Sequence, residues 1–160
     1  MTMTRAIFVW IEQEQKASAN WGNGMVKIYS DGASRGNPGP SAIAFLIVHD
    51  GTVLKSYSGF VGKRTNNQAE YEAIISALEC ASEMDCEEVT CYLDSQLVVR
   101  QLDGQYRVRN PELRNLWFKV QTLKRRFRKI SFNHLPRTDR YIQIVDTMAN
   151  QTLDKMSSLP

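Results

Sequence analysis

AIAFLIVHDGTVLKSYSGFV, residues 42–61, decides the fold class. Its first seven residues, Ala42–Val48, are a continuous apolar run of strand length. Asp50-Gly51 is a strong two-residue hairpin signal, and Thr52–Val61 alternates well enough to be the returning strand. Upstream, Met25–Asp31 reads as a strand, followed by a Gly- and Pro-rich loop from Gly32 to Pro40. The three segments together predict an antiparallel meander.

Downstream the periodicity changes. Ala73, Ile74, Ala77, Leu78 and Ala81 recur at helical spacing after a polar start at Thr65-Asn66-Asn67. Glu88–Asp94 alternates again, and Ser95 to Leu102 predicts a short helix ended by Asp103-Gly104. Asn110-Pro111-Glu112 combines an N-cap, a first-turn proline and a first-turn acid. The helix it opens places Leu113, Leu116, Trp117, Val120, Leu123 and Phe127 on one face. Lys129–His134 predicts a fifth strand and Tyr141–Met156 a final helix. A meander followed by alternating helices and strands implies an α/β fold: a five-stranded mixed sheet, antiparallel meander plus parallel strands, flanked by helices.

The chain has 160 residues, with 42% hydrophobic and 23% charged. This composition fits one globular domain and excludes a disordered tail, a collagen-like repeat and a coiled-coil rod. Residues 1–24 read as an N-terminal extension of undetermined role and residues 25–157 as the folded domain. No apolar run approaches membrane-spanning length, and the N-terminus lacks the pattern of a secretory signal. Three cysteines, Cys80, Cys86 and Cys91, form neither a disulfide framework nor a CxxC pair, which points to a cytoplasmic setting. The net charge of +3 is asymmetric: Arg100 to Arg140 carries twelve basic and three acidic residues, and the remainder is net −6. Such a balance suggests a polyanion held beside a carboxylate-lined site, or else a solvated basic helix face.

The acids fall in costly places. Asp31 and Asp94 end predicted strands. Glu70 lies on the apolar stripe of the first long helix, and Asp146 shares a stripe with Ile142, Ala149 and Leu153. Singly, each has an ordinary structural explanation: a turn for Asp31, a helix cap for Asp94, the helix dipole for Glu70 and a stripe edge for Asp146. Together, four carboxylates converging without a matching buried Lys or Arg make an oxygen-rich site suited to a hard divalent ion. Neither the cysteines nor the two histidines have zinc-ligand spacing.

Three stretches resemble type 1 ribonuclease H in its compact archaeal and bacterial form, which lacks a basic protrusion. They are YSDGASRGNPGP (29–40), TNNQAEY (65–71) and LDSQLVV (93–99), joined by QLDGQY (101–106) and RNPEL (109–113). The resemblance runs from about Met25 to about Leu153. It implies a ribonuclease H-like fold and hydrolysis of the RNA strand of RNA–DNA hybrids, leaving 5′-phosphate and 3′-hydroxyl ends. It also implies two Mg²⁺ ions, with Mn²⁺ as a plausible substitute, held by Asp31, Glu70, Asp94 and Asp146. Asn37, Asn66 and Asn67 match positions that read 2′-hydroxyls. Thr65, with Lys63 or Arg64, matches a DNA-phosphate grip, and Tyr106 is a candidate to pack on a DNA sugar, or else a core aromatic. Arg107, Arg109 and the Lys124–Arg128 cluster would add phosphate attraction. The partner implied is the hybrid itself, with no membrane and no obligate protein partner.

The fourth motif departs from the family. His134-Leu135-Pro136-Arg137 is followed by Thr138-Asp139-Arg140-Tyr141, the usual Asn is missing, and about two extra residues precede Val145-Asp146. Asp139 therefore rivals Asp146 as the fourth carboxylate. Arg137 best fits the residue that assists turnover in this loop, with His134 as its rival. The competing functional reading is a catalytically weak or dead module that binds hybrids or double-stranded RNA.

Overall fold

The computed structural model describes residues 9–11 and 24–159. The strands are β1 (Val9–Ile11), β2 (Met25–Ser34), β3 (Gly39–His49), β4 (Thr52–Arg64), β5 (Glu88–Leu93) and β6 (Lys129–His134). The helices are α1 (Asn66–Glu83), α2 (Gln96–Leu102), α3 (Pro111–Lys124) and α4 (Arg140–Ser157). The sheet order is β1-β4-β3-β2-β5-β6. β2, β3 and β4 form the expected antiparallel meander, and β2, β5 and β6 run parallel. To the five expected strands the chain adds β1, whose Val9, Trp10 and Ile11 pair with Ser58, Tyr57 and Ser56. The rest of the expected extension, apart from Gly24, lies outside the described residues. Among the described residues no helix is long and apolar enough to cross a membrane.

The apolar run in β3 is explained by burial on both sides. Ile43, Phe45 and Ile47 face one core with α1, α2 and α3, whereas Ala42, Ala44, Leu46 and Val48 face a second core under α4. A central strand covered on both faces has no reason to alternate in polarity. The strands of the meander are longer than expected. β2 continues through Gly32, Ala33 and Ser34, because β3 still pairs with it there, and the loop shrinks to residues 35–38.

The helices start where their caps allow. Thr65 Oγ1 accepts from the Gln68 amide at 3.2 Å, and Gln68 Oε1 accepts from the Thr65 amide at 2.8 Å, a reciprocal capping box. Asn110 Oδ1 accepts from Glu112 and Leu113 N–H at 2.9 and 3.1 Å. Asp139 caps α4 by accepting from Tyr141 and Ile142 at 3.0 and 3.1 Å. The buried stripe of α4 is Ile142, Val145, Ala149 and Leu153. Asp146, expected on that stripe, is exposed beside it, because one residue advances about 100° around the helix.

α1 lies against the backbone of β2 at Gly32. A Cβ there would sit 2.2 Å from the Ala69 carbonyl carbon and 2.5 Å from the Glu70 nitrogen, so only glycine permits the approach. Gly32→Ala is expected to lose about 3 kcal/mol of stability through forced separation of helix and strand. Urea denaturation measures this, and an unchanged midpoint would refute the close contact.

Candidate metal centre and nucleic-acid face

The parallel register sets the site. Tyr29 is the last β2 residue paired with β5, opposite Tyr92, so two residues further along each strand bring Asp31 and Asp94 to the same level. β2 continues past its parallel neighbour there, and α1 supplies Glu70 from one face through the gap at Gly32. Asp31, Glu70 and Asp94 each offer an oxygen, all within 4.8 Å of one another. Asp31 and Glu70 are only 4% and 7% exposed.

Three carboxylates in this volume repel one another. Burial pushes Asp31 up to about 7, and the charges of Asp94 and Asp146 add to the rise while a hydrogen bond with Glu70 opposes it. Glu70 is held well above the usual carboxylate range by burial first and the Asp31 charge second; the Gly32 amide works the other way. That amide donates to Glu70 Oε1 at 3.2 Å, while Oε2 is buried and receives no donor. Clustered charge with few donors, and a buried oxygen left over, fit a cation that supplies what the protein does not. The all-oxygen set suits a hard divalent ion.

The fourth acid arrives from α4. Asp146 raises the Asp31 carboxyl by charge and hydrogen bond, so it stands near Asp31, exposed and outside the close cluster of three. Asn150, one turn later, donates to Asp146 Oδ1 at 3.3 Å and to its carbonyl at 3.0 Å. Asp139, the rival, has its carboxylate spent on the α4 cap. Arg137, with a side chain 91% exposed, reaches Asp94 Oδ2 at 3.3 Å. His134 ends β6, and its ring meets the Asp94 backbone carbonyl at 3.1 Å. The two rivals thus touch different parts of Asp94: the arginine its carboxylate, the histidine its main chain.

The amide residues gather beside the acids. Asn37 Oδ1 accepts from the Asn66 N–H at 3.1 Å, joining the β2–β3 loop to the start of α1, where Asn67 follows. Gln68 Nε2 donates to Glu112 Oε2 at 2.5 Å and ties the starts of α1 and α3. Arg64 is committed to Glu72 at 2.7 Å, which leaves exposed Lys63 as the cation beside Thr65. Tyr106 is exposed rather than core, with the Arg100 guanidinium 5.6 Å from its ring centre.

The Lys124–Arg128 cluster, expected to support phosphate binding, lies elsewhere. It precedes β6, whose first residue Lys129 pairs with Glu88 and whose last, His134, pairs with Leu93. Five strand steps, about 17 Å, therefore separate the cluster from the acids. Arg128 there pairs with Glu87 and Glu88, and Arg126 donates to Ser82 Oγ at 3.2 Å.

Two residues were missed at the level of sequence. Gly32 gave no sign beyond following Asp31. Asn150 stands four residues after Asp146, and that helical spacing is the signal that finds it.

Comparisons with known proteins agree with this geometry. A sequence family described as reverse transcriptase-like matches residues 29–152. Ribonuclease HI of Halobacterium salinarum is 40% identical over 132 residues, covering 82% of this chain and 65% of that protein. The bifunctional protein Rv2228c of Mycobacterium tuberculosis is 37% identical, and the match spans only 35% of its length. The crystal structure of RNase H1 from Halobacterium salinarum superposes with a TM-score of 0.79 at 39% identity, covering 82% of this chain and 98% of that one. LC11-RNase H1, solved in complex with an RNA/DNA hybrid, gives a TM-score of 0.77 at 37% identity over 83% of this chain and 99% of its own. With this sheet, these acids and these relatives, the chain belongs to the type 1 ribonuclease H family.

Proposed function

We propose that this chain is an endonuclease that hydrolyses the RNA strand of RNA–DNA hybrids with divalent metal ions, Mg²⁺ by preference, and that residues 25–157 are its catalytic unit. The observation that carries the reading is the cluster of buried Asp31 and Glu70 with half-buried Asp94, and Asp146 near Asp31. Asp31 and Asp94 would be shared ligands of two ions, with Glu70 and Asp146 completing the set. Two such ions would supply charge neutralisation at the phosphate and make water a competent nucleophile near neutral pH. In-line attack by water forms one P–O bond as the bond to the 3′-oxygen breaks. The products are a 5′-phosphate and a 3′-hydroxyl, with the leaving oxygen taking up a proton.

The protein's own share is positioning. Asn37, Asn66 and Asn67 offer donors and acceptors to 2′-hydroxyls in the wide minor groove of the hybrid. Thr65 and Lys63 grip a phosphate of the DNA strand, and Tyr106 packs on a DNA sugar. These contacts hold register without reading bases, so cleavage is insensitive to sequence. Arg137, fully in solvent beyond Asp94, assists departure of product.

The test is cleavage of end-labelled RNA–DNA hybrid, RNA duplex and DNA duplex side by side in Mg²⁺. Cutting of the hybrid's RNA strand alone is the expected result. No cutting with Mg²⁺ or Mn²⁺ would overturn the reading in favour of a binding module, and cutting of the DNA duplex would overturn the role of the asparagines.

A further inference from the structure

A cleft of about 390 Å³ opens between the end of α2 and the outer face of α3, lined by Gln101, Gln105, Tyr106, Arg107, Arg114 and Trp117. Its walls are built before any ligand arrives. After α2, the amides of Gln105 and Tyr106 both donate to the Arg100 carbonyl, at 2.9 and 3.0 Å, and Gly104 donates to the Gln101 carbonyl at 3.2 Å. Gly104 makes the turn possible with a φ of +80°. The Arg100 side chain binds Gln105 Oε1 at 2.9 Å while lying over Tyr106. On the opposite wall, the Trp117 indole N–H donates to the Gln101 carbonyl at 3.1 Å, which fixes the ring. Gln101 is itself held by the Tyr71 hydroxyl at 2.7 Å.

The chemistry of this cleft is specific. The Trp117 ring, locked by its N–H, offers flat apolar surface, and Tyr106, under Arg100 and assigned to the DNA sugar, closes the rim beside it. Arg107 and Arg114 are exposed, and among the described residues neither is engaged in an ion pair. Aromatic faces beside unpaired guanidinium groups suit one ligand class well: a nucleobase carrying its phosphates. The volume lies in the range of small-ligand sites.

Its place narrows the occupant. Val108 and Arg109 lead directly from the cleft to the Asn110 cap of α3, and Glu112 in the first turn of α3 is bonded to Gln68 of α1. The cleft therefore continues the face formed by Asn37, Asn66 and Asn67. A base inside a duplex already has both faces stacked and has none to offer. We propose that the cleft binds the base of an unpaired nucleotide flanking the hybrid, so that the protein prefers hybrids with a single-stranded extension over blunt ones. This rests on the hybrid-binding reading above.

The experiment measures equilibrium binding, without metal, of full-length protein to a blunt hybrid and to hybrids with a three-nucleotide single-stranded extension of either polarity. One polarity is expected to bind about tenfold more tightly than the blunt hybrid. Abasic residues in the extension, which keep its phosphates, are expected to abolish the gain. Arg114→Ala is expected to reduce the gain while leaving blunt-hybrid affinity within about twofold. Equal affinity for blunt and extended hybrids, or a gain that survives abasic substitution, overturns the proposal. If no hybrid binds, the hybrid reading fails instead. The cleft is then tested alone by titrating the tetranucleotide (dT)4 against Trp117 fluorescence in a variant with Trp10 and Trp21 changed to Phe. Quenching lost in Arg114→Ala supports a base site, and no quenching refutes it.

Discussion

Asp94→Asn is expected to lower hybrid cleavage by at least about 10³-fold while leaving hybrid affinity within about threefold of the unaltered protein. Asp94 follows the last residue of β5, and its main-chain carbonyl is bound by the His134 ring at 3.1 Å, a contact that the substitution leaves intact. Asparagine has nearly the same shape, so the strand end and the start of α2 keep their geometry. What disappears is one negative charge, and with it a ligand to a divalent ion. The proposed substrate contacts, from Asn37, Asn66, Asn67, Thr65 and Tyr106, lie on other elements and are untouched. Single-turnover cleavage and fluorescence anisotropy on the same preparation separate the two effects. Retained cleavage would remove Asp94 from the metal set, and lost affinity with unaltered turnover of bound hybrid would make it a substrate contact.

The second large effect is on stability, and its sign is counterintuitive for an acid at an active centre. Asp31 is pushed up to about 7 in the folded protein, from 3.8 for an ordinary aspartate. A group whose folded value is raised binds more protons in the native state than in the unfolded chain throughout that interval. Stability of the metal-free protein therefore falls as pH rises from about 4 to about 7, and the loss is complete above that window. Three units correspond to on the order of 4 kcal/mol, shared with Glu70 because the two acids face each other. In chelator at pH 8, Asp31→Asn is expected to be more stable than the unaltered protein by up to that amount, and at pH 4 nearly equal to it. Mg²⁺ is expected to raise the melting temperature of the unaltered protein at pH 8 and to do so much less for the variant. Denaturant titrations at both pH values measure this. A variant less stable than the parent at pH 8 would show that Asp31 contributes to the fold by contacts other than repulsion.

Apolar runs and alternation are local, so Ala42–Val48, the Asp50-Gly51 turn and Lys129–His134 revealed their strands directly. The Asn110 cap and the polar start at Thr65–Asn67 are also local, since a cap needs only residues two or three positions away. Glu70 was legible because a buried helix acid breaks the apolar pattern of its own stripe. Asp146 was placed too far inward, since its spacing from Ile142, Ala149 and Leu153 is that of a neighbour to the stripe as much as a member. The length of β2 depends on how far β3 accompanies it, a tertiary fact with no local signature. β1 has three residues, too few for any period to show. The remoteness of the Lys124–Arg128 cluster follows from the direction of β6 relative to β5, which only the assembled sheet reveals. The rival acid Asp139 was separable only once α4 had a defined first turn.

The strand that carries Asp31 is paired with β3 along its length and with β5 as far as Tyr29, and is covered by helices on both faces. The doubly paired part, up to Tyr29, is expected to open only with global unfolding, so its amides belong to the slowest-exchanging class and Asp31 is mounted directly on its end. The anchor of the metal centre thus has no local breathing mode of its own. Adaptation to different substrates falls to the segments hung around it: the 35–38 turn, the 103–110 rim and the arm bearing Arg137. Sequence drift can remodel these segments, leaving the chemistry mounted on the part of the protein slowest to open.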